Sequence, residues 1–396
     1  MDSTLITSPA GILAVLAGIA SAFFFLEKKT GWKLFDFFPP LIFIYVIPVA
    51  FSNTDIIPNK TPLYDFMGSN LLPMFLVIML LDVDLVATIR VMGKGVFVML
   101  LGTLGVVIGA PIAFLIVKHG LDPDAWKGFG TLAGSWIGGT GNMLAVSKMI
   151  NLDESSVQYG YAVISDNAVY LIWLPIMLGS KSLAGWFGKF TKVPEGRVVQ
   201  LEKAASELTL DKGNIEMRHF LYLICFGLGA TALATWVADM IPTVSTSDGT
   251  EIITADTYKI MLVTIIGVTL SFTRASTIPG SHALSMALVY LFVARMGAKA
   301  DLSKLSMSLF WFLLGAYIWI FIHGAVLIAS ARIFKVDVHT AAIASAANIG
   351  GAASAPIVAA HHNRTLVPVA ILMAMIGYAI GNPAAWLAAM LCFWVS

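Results

Sequence analysis

The sequence predicts an all-α polytopic membrane protein: two inverted repeats, each of five transmembrane helices plus one re-entrant glycine-rich hairpin. Three observations lead there. The 396 residues are 58% hydrophobic and 12% charged, with a mean hydropathy of +0.85, whereas soluble domains run near a quarter charged. Two stretches rich in Gly, Ala, Ser, Thr and Asn, residues 134–142 and 346–354, share an Ile-Gly-Gly and are flanked by strongly apolar sequence. The basic residues, finally, sort best to one side when both stretches enter the membrane and turn back.

A spanning helix needs about 20 apolar residues. Such runs place helices over 10–26, 34–51, 65–81, 96–117 and 157–178 in a first repeat, residues 1–178. A second repeat, residues 218–396, has runs at 218–241, 258–273, 279–297, 306–333 and 367–395, with a kink expected at Pro383. The polar, mixed-charge residues 179–217 read as a cytoplasmic linker. The hairpins occupy 129–150 and 340–361, between the fourth and fifth helix of each repeat. Residues 1–9 lack the basic stretch of a cleaved signal peptide, so the first run reads as a retained helix.

Cytoplasmic loops carry an excess of Lys and Arg. With ten crossings, two hairpins and the N-terminus outside, the inside holds 16 of the 24 basic residues. These are Lys28, Lys29, Lys33, Arg90, Lys94, the seven from Lys181 to Arg218, Arg274, Arg332, Lys335 and Arg364. Letting both stretches cross fully divides the set 13 to 11, so the charges favour hairpins. The acidic loop with Asp248, Glu251 and Asp256 then faces outward. Five crossings plus a hairpin give the repeats opposite orientation. Hairpin arms of about eight residues reach roughly 12 Å, near the centre of a core about 30 Å thick. The tips should therefore meet at the midplane, as in inverted-repeat secondary transporters. Two further pairs recur in the same order: Asp82-Val83-Asp84-Leu85 with Lys299-Ala300-Asp301-Leu302, and Gly160-Tyr161-Ala162-Val163 with Gly377-Tyr378-Ala379-Ile380.

Several classes are excluded. A net charge of +1 gives nothing for nucleic acid. Cys225 and Cys392 lie in separate apolar helices, which argues against a disulfide framework or a metal site. A Walker loop is absent, as are a His-Glu-x-x-His helix and a Ser/Lys dyad, so neither ATP-driven transport nor a membrane enzyme is expected.

Tip glycines let backbone approach a ligand and turn freed carbonyls toward a cation. Gly138, Gly139, Gly141, Gly350 and Gly351, with the hydroxyls of Thr140 and Ser354, are thus the expected solute contacts. The rival reading is that small residues only let helices pack closely. Asn142, Asn348, Asn382 and Asp166 are the candidate sodium ligands, because a hard cation favours oxygen. Ser135 offers a further hydroxyl, although the same groups would equally cap broken half-helices. Asp166 sits mid-helix beside Asn167 with no basic residue within a turn. Such a charge costs about 2.5–3.5 kcal/mol on insertion scales. A sodium ion could offset it or a proton neutralise it, and a protonated structural role is the third reading. Asn382, before Pro383, is its uncharged counterpart in the other repeat. His323 reads as a proton relay or as a neutral histidine bonded to a neighbouring helix. His361 and His362, adjacent on a helix, do not face the same way for a metal pair. The tryptophans read as interfacial belt and lipid-facing packing.

Gly-Ser-Trp-Ile-Gly-Gly-Thr-Gly-Asn, with the later Ala-Asn-Ile-Gly-Gly-Ala-Ala-Ser-Ala-Pro, resembles the integral-membrane family catalogued as domain of unknown function 819, over essentially the whole chain. That family is similar in organisation to the sodium:glutamate and 2-hydroxycarboxylate symporters, whose paired hairpins carry substrate and sodium sites. The wider superfamily includes bile-acid:sodium symporters and cation:proton antiporters. The resemblance implies a homodimer in which the hairpins and neighbouring helices move as an elevator against a scaffold. One departure matters: neither tip has an adjacent Arg to pair with a carboxylate. This argues against a di- or tricarboxylate and leaves a monocarboxylate, an amino acid or a similar solute, held by backbone N–H groups at half-helix N-termini.

The expectation is therefore sodium-coupled symport of a small organic solute across the cell (inner) membrane. A proton-coupled antiporter or exporter is the alternative, and a membrane receptor or sensor is the alternative of another class.

Overall fold

The computed structural model describes residues 4–32, 35, 40–206, 212–245, 251–300 and 306–396. Lys33, Asp248 and the Asp301-Leu302 half of one repeated motif lie outside them.

Each apolar run contains a helix among its described residues; residues 34 and 36–39 of the second run lie outside them. α1 (Pro9–Thr30) begins where the Ser8 hydroxyl accepts from the Gly11 N–H at 3.2 Å, and Lys28 and Lys29 sit at its negative end. α2 (Pro40–Asn53) follows. α3 (Pro62–Leu80) widens into a π-helical turn over Met67–Leu71. Pro73 has no N–H to give the carbonyl four residues back, and Leu72 bonds Met67 instead. α4 (Leu85–Met92) is capped by Asp84, whose carboxylate accepts from the Ala87 N–H at 2.8 Å.

α5 (Lys94–Val117) shows how composition positions a helix. Phe97, Leu100, Leu104, Ile108, Ile112 and Leu115, three or four residues apart, are exposed on one face. Gly102, Gly105 and Gly109 line the other, where added methyl groups would fall within 3.2 Å of His323, 2.9 Å of Val326 and 2.6 Å of Trp319. The apolar stripe is suited to lipid, and the small residues let α13 (Ser308–Phe334) approach closely.

Next come α6 (Ala125–Met149) and α7 (Val157–Gly179), then two short linker helices, α8 (Ala184–Thr191) and α9 (Arg197–Ser206). Beyond the linker lie α10 (Met217–Ala238), α11 (Ala255–Ser271) and α12 (Ser281–Lys299). A two-stranded ribbon, Val244–Ser245 with Glu251–Ile253, joins α10 to α11. After α13 the chain forms α14 (Val338–Ile349), α15 (Gly351–His362) and α16 (Val367–Val395).

Among the described residues, eight helices are long and apolar enough to cross a membrane. The other two runs are shorter as helices, 14 residues for α2 and 17 for α11. α16 carries Pro383 within its helical span. Two groups of helices result. α5, α6, α7 and α13 to α16 pack together, while α1, α2, α3, α10, α11 and α12 form the other group, joined to the first by α11 and α3.

The tryptophan expectation needs correction. Trp136 and Trp319 are wholly buried, with Trp126 and Trp173 nearly so. Trp136 and Trp319 pack with ring centroids 4.6 Å apart. The indole N–H of Trp319 donates to the Val106 carbonyl at 2.7 Å and that of Trp173 to Ser345 at 3.0 Å. A buried indole keeps its single donor satisfied, so these rings build the core rather than the belt. Trp32, Trp186, Trp236 and Trp394 are exposed.

Candidate functional site

The first Ile-Gly-Gly interrupts α6. Gly138 (φ −134°, ψ 15°) and Gly139 (φ 72°, ψ −172°) leave helical geometry, and Gly139 occupies a region open essentially to glycine alone. The chain reverses there. A methyl group on Gly134 would lie 2.8 Å from the Asn142 carbonyl oxygen and 2.9 Å from Met143 Cα. In a continuous helix, positions eight apart are separated by about 12 Å. Further along, one on Gly130 would lie 3.3 Å from Ile150 Cδ1, so the arms stay side by side to their open end.

The second Ile-Gly-Gly separates α14 from α15. Gly350 closes α14, and Gly351 turns the chain at φ 57°. At the open end His339 and His362, one from each arm, share a hydrogen bond of 2.9 Å between their Nδ1 atoms. His362 Nε2 donates to the Met177 carbonyl at 2.9 Å, at the end of α7. The first pair of arms opens instead toward residues 150–156, which lead into the start of α7. The two open ends thus lie at opposite ends of this 23-residue helix.

The tips meet. A methyl group on Gly351 would sit 3.6 Å from Gly139 Cα, and both glycines pack on the Tyr378 ring of α16, with 3.5 Å to Cε1 from either methyl position. The Tyr378 hydroxyl accepts from the Ala352 N–H at 3.3 Å. Gly377 makes room for the first tip, since a methyl there would fall 2.4 Å from the Ile137 carbonyl oxygen.

Around this meeting point the expected site residues divide into three groups. Asn142 and Asn382 come together: Asn142 Nδ2 donates to Asn382 Oδ1 at 2.8 Å and to the Tyr378 carbonyl at 3.0 Å. Asn382 Nδ2 donates onward to Thr264 of α11 at 2.8 Å. Both asparagines are wholly buried, and Asn142 Oδ1 has no partner. Asn348 binds elsewhere, donating to the Met99 carbonyl at 3.1 Å and accepting from Thr103 at 3.1 Å, both on α5. Beside it, His323 Nδ1 donates to the Gly102 carbonyl at 2.9 Å, and its Nε2 is 3.1 Å from the Ser345 hydroxyl. With both ring nitrogens bonded, this fits a neutral histidine tied to neighbouring helices.

Asp166 forms the third group. Its carboxylate accepts from the Ser135 hydroxyl at 2.8 Å and the Trp136 indole N–H at 2.9 Å, both on the first arm. One turn later Tyr170 lies against Gly350, 3.2 Å from a methyl placed there, with its hydroxyl toward Ser354. α7 therefore touches both breaks. Gly141 is buried against Phe75 and Met79 of α3, whereas Thr140 is half-buried at the first tip.

Three polar clusters escaped the sequence reading. Arg295 of α12, wholly buried, pairs with Glu154 at 2.6 Å, donates from Nε to the Tyr64 carbonyl at 2.9 Å, and leaves Nη2 without a partner. An arginine near the end of an apolar helix was the available signal. Its partner lies 141 residues away, in the loop between α6 and α7. The second is the His339–His362 pair described above. The third is at the other end of α12, where Asp82 accepts from Lys212 of the linker and from the Ser281 hydroxyl. Among the described residues no three His, Cys, Asp or Glu side chains are grouped to hold a metal ion.

Comparison with known proteins agrees that this is a membrane protein. The chain is 24% identical over 378 residues to the uncharacterized membrane protein YjcL of Bacillus subtilis (strain 168), covering 94% of this chain and 93% of that protein. The profile of the family described as "Protein of unknown function (DUF819)" matches residues 14–396. The chain therefore belongs to the DUF819 family of membrane proteins.

Proposed function

We propose that this chain is a secondary active transporter that couples sodium entry to symport of a small organic solute. In this reading the two broken elements are re-entrant hairpins in inverted repeats, residues 1–178 and 218–396, joined by the linker 179–217. They would move with α5, α7, α13 and α16 as an elevator against the remaining helices of a homodimer.

The observation that carries the reading is the buried Asn142 Oδ1. It is an oxygen without a partner, beside the point where the two glycine breaks meet. Buried polar atoms are nearly always satisfied, and an amide oxygen beside freed carbonyls is the donor set a hard monovalent cation takes. Discontinuous helices whose tips converge from opposite ends are the arrangement in which transporters bind solute and coupling ion. One charge moving through about 100 mV supplies about 2.3 kcal/mol, a roughly fifty-fold solute gradient.

Proton coupling retains one supporting observation. Asp166, on the helix that touches both breaks, has two donors from the first arm and no basic partner in its hydrogen bonds.

Thermal unfolding of the purified protein in sodium chloride against choline chloride tests the reading. A ligand that binds only the folded state raises stability by mass action. A saturable, sodium-specific rise that Asn142→Ala abolishes is expected. No sodium effect, with a pH response lost in Asp166→Asn, would replace sodium by the proton.

A further inference from the structure

The cluster at the start of α12 opens onto a cavity of about 350 Å³. Its walls come from four places: Asp82 after α3, the linker at Lys212 and Ile215, residues 279–283 entering α12, and Ile371, Leu372 and Met375 of α16. Met375 precedes Tyr378, which carries both glycine tips, by one helical turn. The α16 wall of the cavity thus ends one turn short of the residue on which the breaks meet.

Its chemistry is asymmetric. One wall is apolar, formed by Ile215, Ile371, Leu372 and Met375. The other offers the Asp82 carboxylate, whose side chain is 4% exposed, and the Ser281 hydroxyl. Asp82 Oδ2 is buried without a hydrogen-bond partner, and His282 Nδ1 lies 3.9 Å from it. The Lys212 ammonium occupies this polar wall, bonded to Asp82 and lying 3.1 Å from the Ser281 hydroxyl. A lysine side chain is a butyl chain ending in a primary ammonium, so the molecule already displays what the cavity accepts.

We infer that this cavity is a binding site for the alkylammonium group of a transported solute, and that Lys212 is a tethered occupant the solute displaces. The inference rests on the transport reading and narrows its solute to amine-bearing molecules. A carboxylate and a hydroxyl facing an apolar wall select a primary ammonium with a hydrocarbon tail. A quaternary ammonium lacks the N–H donors those acceptors require. The linker thereby acts as a plug. While Lys212 is bonded there, the carboxylate and hydroxyl of the polar wall are taken, and solute binding releases them.

The test uses n-butylammonium, the free analogue of the lysine side chain, with tetramethylammonium at equal ionic strength as control. In Lys212→Ala, n-butylammonium should raise the unfolding temperature saturably, by about 2 °C or more, as mass action on an emptied site requires. The double variant Lys212→Ala/Asp82→Asn should show no such rise. In the unmodified protein, n-butylammonium should increase hydrogen exchange at residues 212–216 several-fold by displacing the plug, and this second readout stands if the variants fold poorly. No rise in Lys212→Ala, an equal rise in the double variant, or unchanged exchange in the unmodified protein would overturn the assignment. Each readout reports binding alone, so failure here is separate from loss of the sodium response, which bears on the transport reading.

Discussion

In the first break the amide at the tip, Asn142, follows the two glycines; in the second, Asn348 precedes them. Asn142 turns to α16 and keeps one oxygen unpartnered, whereas Asn348 turns to α5 and has both of its side-chain groups bonded. The open ends differ as well. Ile150 closes the first through apolar contact, and a pair of titratable histidines closes the second. A shared Ile-Gly-Gly therefore fixes a reversal of the backbone without fixing the chemistry around it. An unpartnered amide oxygen belongs to the first break, while the amide of the second has both of its groups bonded.

The largest expected contrast is steric. A methyl on Gly138 would lie 2.4 Å from Asn142 Oδ1 and 2.8 Å from the Gly377 carbonyl oxygen, so Gly138→Ala must displace backbone of α16. A loss of about 3 kcal/mol is expected for such overpacking. Gly351→Ala meets nothing closer than 3.5 Å and bears only the cost of its left-handed φ, about 1–2 kcal/mol. Equal losses in thermal unfolding would show that the breaks are not packed as differently as described.

Removing each amide should separate stability from ion response. Asn142→Ala and Asn348→Ala each leave buried partners unsatisfied, costing about 1–3 kcal/mol. Only Asn142→Ala should also abolish the shift produced by sodium. If Asn348→Ala abolishes it too while Asn142→Ala leaves it, the assignment of the cation to the first break is reversed.

The smallest effect concerns the open ends. Burial holds His362 below its ordinary value of 6.5; its bond to the Met177 carbonyl pulls upward, and His339, His361 and Lys181 push down further. Between 6.5 and that lower value the unfolded chain binds more protons than the folded one, so stability falls as pH is lowered through this window. His362→Gln should flatten that part of the stability–pH curve. His361→Gln, on an exposed neighbour that adds only part of the downward push, should change it less. An unchanged slope in His362→Gln would remove the histidine pair as the source.

Much of this arrangement was legible in the sequence. The ten helical runs followed from hydrophobic length, and the two reversals from Ile-Gly-Gly inside apolar surroundings. The pairing of Asn142 with Asn382 was also within reach, because both belong to the oxygen donors expected around one cation. What the sequence left open was partnership across distance. Asp166 is matched by Ser135 and Trp136 of the first arm, contacts set by how α6 folds back and not by any local pattern. Arg295 and Glu154 form a pair only because α12 packs beside the loop after α6, and Lys212 looked like one more linker charge until its chain segment lay against Asp82. The buried tryptophans misled for a similar reason: their indole partners are backbone and hydroxyl groups of other helices.

The central claim is that each break turns back on the side from which it entered. Single cysteines at Asp124, Asp153, Lys335 and Asn363, in a background without Cys225 and Cys392, test it with a membrane-impermeant maleimide applied to intact and permeabilised cells. The account predicts that 124 and 153 react from outside, while 335 and 363 react only after permeabilisation. If 124 and 153, or 335 and 363, fall on opposite sides of the membrane, that segment crosses it, and the paired-hairpin account is contradicted.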